Sequence, residues 1–235
     1  MNKQIDTLKT KWIPVPWLVS EALLILCAGL ILSTLPLFWS STGQNTLGIE
    51  LQAYTFQLAG FILLPILLVH KKYRLGPDAL GLIRPSWRML FYGGILGGLG
   101  LYGVNLLLTT LSVLVLPEKF VQAQSVVSLL DMAGTPYEFA LVGVFVVVFA
   151  PFGEELLFRA FLYPALRSRF GRLSGILIGS GIFAGLHLNL VAFLPLFIGG
   201  IGFNLLYDRY QNLFCNATAH AIWNGLALFL YCVTS

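Results

Sequence analysis

YEFALVGVFVVVFAPFGEELLFRAFLYPAL, residues 137–166, is apolar beyond Glu138 at its start except for one patch in its middle, Glu154-Glu155-x-x-x-Arg159. About 20 apolar residues cross a hydrocarbon core of about 30 Å. A run of this length with its interior charge confined to one patch reads as a transmembrane helix that carries a polar site. The rest of the chain agrees. Of its 235 residues 57% are hydrophobic and 10% charged, and the mean hydropathy is +0.84. Soluble domains average about 25% charged residues, so too little polar surface exists here to cover a globule in water. The expected fold is all-α: a polytopic integral membrane helix bundle of about seven (seven to eight) transmembrane helices, with residues 1–235 forming one integral membrane domain.

Six more apolar runs flank that stretch. They cover about Trp17 to Phe38, Leu51 to Val69, Met89 to Leu116, Leu173 to Leu190, Val191 to Tyr207 and Leu213 to Cys232. Trp12, Trp17 and Trp39 read as interfacial anchors of the first. The third contains Gly93/Gly97 and Gly94/Gly98, small-xxx-small pairs that let helix backbones approach closely. Between Pro117 and Pro136 the spacing of Phe120, Val121, Val126, Val127, Leu129 and Leu130 suits a short helix lying in the interface. No alternation typical of strands and no internal repeat is visible.

Basic residues fall in alternate connections. Lys3, Lys9 and Lys11 precede the first run; Lys71, Lys72, Arg74, Arg84 and Arg88 follow the second; Arg167, Arg169 and Arg172 follow the fourth; Arg209 follows the sixth. The other connections carry only Lys119. This asymmetry predicts seven spans with the N-terminus in the cytoplasm and the C-terminus outside. The net charge of +4 resides in short loops and gives no reason to expect a nucleic-acid partner. Cys27, Cys215 and Cys232 lie in apolar runs without metal-ligand spacing, so neither a disulfide framework nor a cysteine metal site is expected.

Ionisable residues inside spans are costly and mark function by default. Glu155 and Arg159 stand four apart, acid first, the favoured orientation for a helical ion pair. A pair that only fixes helix packing accounts for them equally well. Glu154 lies about 100° around the helix, has no such partner, and is free to face the bundle. His187 and His220 sit in two further spans, and His220 shares a helix face with Asn224, four residues on. A lone membrane histidine is most often a structural hydrogen-bonding group, but depth links these residues. At about 1.5 Å per residue from the basic ends, Glu154, His187, His220 and Asn224 lie about 17–22 Å deep. A carboxylate, two imidazoles and an amide at one depth suffice for hydrolysis. Glu154 with His187 can hold and deprotonate a water, while His220 and Asn224 can donate to the oxyanion of a scissile carbonyl. No serine or cysteine has a comparable setting, so attack by water is expected rather than an acyl-enzyme.

Glu154-Glu155-x-x-x-Arg159, then Phe183-x-x-x-His187, then His220-x-x-x-Asn224, in this order on separate spans, resembles the CPBP family. Its members are CAAX prenyl protease and bacteriocin-processing intramembrane endopeptidases, also called the Abi family, with Ras-converting proteases as eukaryotic relatives. The resemblance covers a core of about residues 142–230. It implies that Glu154 and His187 activate the water, that His220 and Asn224 form the oxyanion site, and that Glu155 and Arg159 support them. It also implies a membrane-associated protein or peptide substrate and suggests a prokaryotic plasma membrane. The expectation is an intramembrane endopeptidase without a cofactor. The zinc alternative would use His187, His220 and Glu154 as ligands, but it explains Asn224 less well. The alternative function is a non-catalytic membrane protein with the same cavity: a bacteriocin-immunity factor, a scaffold or a small transporter.

Overall fold

The computed structural model describes residues 12, 14–40, 46–117 and 125–234. Among these residues there is no strand. Eight helices follow one another: α1 (Val19–Leu32), α2 (Thr46–Lys71), α3 (Met89–Val115), α4 (Ser125–Asp131), α5 (Pro136–Phe170), α6 (Arg172–Gly185), α7 (Leu190–Tyr210) and α8 (Leu213–Thr234). α1 is extended by a 3-10 turn, Leu35–Phe38. With that turn, six of these helices are long and apolar enough to cross a membrane. The all-α polytopic bundle expected from composition is therefore what the chain forms.

The fifth run is a correction. It reads as a span to Leu190, yet α6 is only 14 residues, about 21 Å, short of a core of about 30 Å. Leu188 adopts a positive φ of 50°, and the Asn189 side chain accepts the Ala192 N–H at 3.0 Å to start α7. The chain thus turns back where His187 stands instead of continuing as helix.

Trp17 is a second correction. It is only 2% exposed, so it is no lipid-facing anchor. Its ring stacks on Phe161, and its Nε1–H donates to the Phe161 carbonyl at 2.8 Å. That carbonyl lies in a wide-turned stretch of α5, Leu156–Leu162, where the regular i→i−4 ladder is interrupted. Trp39 remains exposed beyond α1. The short helix foreseen after Pro117 exists as α4, though Phe120 and Val121 lie outside the described residues. Its Leu129 and Leu130 are buried against Leu47, Val142 and Val146, so α4 is docked on the bundle rather than laid along the interface.

Small residues set the helix spacing. A Cβ on Gly60 would come within 2.8 Å of the Gly29 Cα, so α1 and α2 touch backbone to backbone there. A Cβ on Gly98 would meet the Ala219 carbonyl oxygen at 2.6 Å, and Gly94 lies against Thr218. The glycines of α3 thus bring it against α8, as their spacing predicts.

The loops rich in basic residues gather at one end. Lys72 reaches Glu21 at the start of α1 at 2.5 Å, and this hydrogen bond raises the Lys72 ammonium above its ordinary value. Asp208, near the end of α7, pairs with Arg167 and with Arg172 (2.7 Å) and accepts the Tyr163 hydroxyl at 2.7 Å. The Leu213 N–H donates to the Gly81 carbonyl and the Asn212 amide to the Ile83 carbonyl, each at 2.9 Å. At the other end, α4 is tied to α8 by the Tyr231 hydroxyl on Asp131 at 2.6 Å.

Candidate active site

α5 positions the two carboxylates. It is interrupted by two wide-turned segments, Phe145–Phe149 and Leu156–Leu162, and Glu154 and Glu155 lie between them. Such bulges inside α-helices concentrate at functional sites. The first has a local cause. The Ala150 N–H bonds back to the Phe145 carbonyl, five residues earlier. In that register the next donor would be residue 151, a proline with no N–H. The Val146 carbonyl is therefore left for another donor, and the Asn224 amide supplies it at 2.9 Å.

The two glutamates have opposite surroundings. Glu155 is fully buried and wholly partnered. Its Oε1 accepts from Arg159 Nη1 at 2.9 Å and meets His220 Nδ1 at 2.8 Å, while Oε2 accepts from the Asn216 amide at 3.2 Å. Asn216 also donates to the Phe203 carbonyl at 2.8 Å. The Arg159 guanidinium lies over the Phe183 ring at 4.1 Å and the Phe203 ring at 5.1 Å, a cation–π cage for a charge that water does not reach. Glu154, with its side chain 26% exposed, faces a cavity of about 390 Å³, and its Oε2 lies 3.9 Å from His220 Nε2. His220 thus stands between the carboxylates, its Nδ1 on the packed side and its Nε2 on the open side.

The cavity brings the four expected site residues together: Glu154, His187, His220 and Asn224 all line it. His187 belongs to the turn after α6. Its Nδ1 is 2.8 Å from the Phe183 carbonyl and its ring meets the edge of Phe183, which explains the four-residue spacing of that motif. Among the described residues the imidazole beside Glu154 is that of His220, while His187 turns its Nδ1 to the Phe183 carbonyl. His220 itself stacks on Phe203, ring centroids 4.9 Å apart.

Sequence reasoning missed Asn216 and Phe203. A signal for Asn216 was present: Asn212, Asn216, His220 and Asn224 recur every fourth residue, one polar stripe along α8. Phe203, an apolar residue in an apolar helix, carried no signal. Asn204, a second polar residue of α7, is buried and donates to Ser180 Oγ and the Ile176 carbonyl, the helix–helix role its setting suggests.

For a metal centre, three ligands would have to converge at about 2.0–2.3 Å from one ion. Among the described residues no three His, Cys, Asp or Glu side chains are grouped so.

The chain is thus an α-helical integral membrane protein whose polar side chains converge on one interior cavity. Residues 136–226 match the family model described as Type II CAAX prenyl endopeptidase Rce1-like, so over that segment the chain is similar to the CPBP family of CAAX proteases. The match runs from the first residue of α5 into the second half of α8 and includes every residue of the candidate site. The family is one of membrane-embedded proteases acting on protein or peptide substrates. No curated protein and no solved structure matches the chain.

Proposed function

We propose that the protein is an intramembrane endopeptidase that hydrolyses a peptide bond of a membrane-associated or lipidated protein or peptide. In this reading Glu154 and His187 hold the attacking water and Glu154 takes its proton as general base. Attack on the scissile carbonyl forms a tetrahedral intermediate. His220 and Asn224 donate hydrogen bonds to its oxyanion, inside a cavity where such bonds are strong. Collapse breaks the C–N bond, and Glu154 returns its proton to the leaving amine.

The observation that carries this reading is the position of His220 between the two glutamates. An ionised carboxylate only accepts hydrogen bonds, so the 2.8 Å contact with Glu155 assigns a proton to His220 Nδ1. For Nε2 to donate as well, the ring must be an imidazolium. Glu155 supplies the balancing charge, and Arg159 and Asn216 hold that carboxylate in place. Glu155 is then a positioning residue, and Glu154 is the group that meets water.

The test is comparative membrane peptidomics of cells carrying the wild-type chain or Glu154→Gln, which keeps shape and removes the base. A peptide that accumulates uncut in the variant is the expected result, and it identifies the substrate. A scaffold or immunity factor needs no base, so equal peptide profiles at equal protein abundance favour that alternative.

A further inference from the structure

The cavity has a direction. Most of its lining residues lie away from the basic loops: Tyr54 and Gln57 are nearer the Thr46 end of α2 than Lys71, Phe145 and Val146 belong to the first half of α5, and Ala192 to the first turn of α7. Leu129 of α4 lines it from the end opposite the basic loops, and so does Leu188 of the α6–α7 turn, 89% exposed.

Toward the basic end the bundle is closed. Below Glu154 come the buried Glu155–Arg159–Asn216 network and then Phe161, Tyr163 and Leu166, none more than 2% exposed. The ion pairs of Asp208 and the Glu21–Lys72 pair tie the helix ends together beyond them. The contacts at Gly81, Ile83 and Asp208 place the three cationic connections of the described chain at this one end. Short loops rich in Lys and Arg stay in the cytoplasm.

Resting on the endopeptidase reading, we propose that the site takes its substrate from the non-cytoplasmic side: an apolar segment of a protein exported to, or anchored in, the outer leaflet. A chain lipidated in the cytoplasm would meet the closed end. The apolar lining, with Leu58, Phe61, Leu196 and Trp223 around the few polar groups, matches a substrate segment that leaves the bilayer without gaining water.

Thiol labelling of the full chain in cells tests this directly. Cys27 and Cys232 are exposed and are replaced by Ser, while the buried Cys215 stays. Tyr54→Cys reports the cavity and Asp78→Cys the basic end, with Gln57→Cys as a second cavity position should Tyr54→Cys fail to insert. A sulfonated, membrane-impermeant maleimide is expected to label the cavity cysteine in intact cells and Asp78→Cys only after permeabilisation. A cavity cysteine labelled only after permeabilisation, or from neither side, overturns the proposal. Labelling needs no turnover, so it is repeated in Glu154→Gln. Outer labelling without any accumulating peptide would sink the protease reading and leave the direction of access standing.

Discussion

The two halves of this bundle use polar groups in opposite ways. Toward the basic end three carboxylates are committed: Glu155 to Arg159, His220 and Asn216, Asp208 to Arg167, Arg172 and Tyr163, Glu21 to Lys72 and Tyr73. In the other half Glu154 faces a cavity, with His220 Nε2 at 3.9 Å and no closer ion-pair partner among the described residues. Glu154 and Glu155 are neighbours in sequence, yet one helical step of about 100° separates a fully paired charge from one that faces a cavity. Burial alone therefore does not mark a functional carboxylate. In the proposed mechanism what marks it is burial beside a cavity without full pairing.

This contrast can be broken by substitution, since the open half should govern cleavage and the packed half abundance. The largest effect is expected from His187→Ala and His220→Ala. Each should insert and lose nearly the whole cleavage rate, because members of a cooperating catalytic set fail together. Cleavage by His187→Ala at the wild-type rate would remove that residue from the site. Asn224→Ala should reduce turnover by about 10²–10³, the usual loss for one oxyanion donor, with little change in substrate affinity. It also deprives the Val146 carbonyl of its donor, so a fall in thermal stability is expected alongside.

The packed half should respond differently. Arg159→Ala leaves Glu155 buried without its cation, and breaking such a pair costs about 3–5 kcal/mol. Lower abundance and a lower Tm in detergent are the expected readings; unchanged abundance would mean that His220 and Asn216 suffice for Glu155. The smallest effect is expected from metal removal. Purified protein dialysed against a strong chelator should keep its activity. Loss on chelation with recovery specific to zinc would make Glu154, His187 and His220 ligands instead.

The membrane class and most helices were legible because long apolar runs report themselves. The end of α6 was not: Leu186-His187-Leu188-Asn189-Leu190 is nearly as apolar as the helices around it, and only Asn189 hints at a cap. Trp17 was misread because a tryptophan at the start of an apolar run suits an interface, while its partner, the Phe161 carbonyl, is 144 residues away. Local spacing gave the Glu155–Arg159 pair correctly. It could not give the His220–Glu155 contact, 65 residues apart, which depends on how α8 packs against α5. The glycine pairs of α3 were legible as close-packing surfaces, though not which helix they would meet.

Two adjacent glutamates divide the labour in the proposed mechanism. Its most direct test compares Glu154→Gln and Glu155→Gln, each purified, measured for Tm and for cleavage of the peptide that accumulates in cells. Glu154→Gln should fold with a wild-type Tm and show no cleavage, while Glu155→Gln should lose stability through its buried partners. Cleavage by Glu154→Gln at the wild-type rate would contradict the assignment of the open carboxylate as the base.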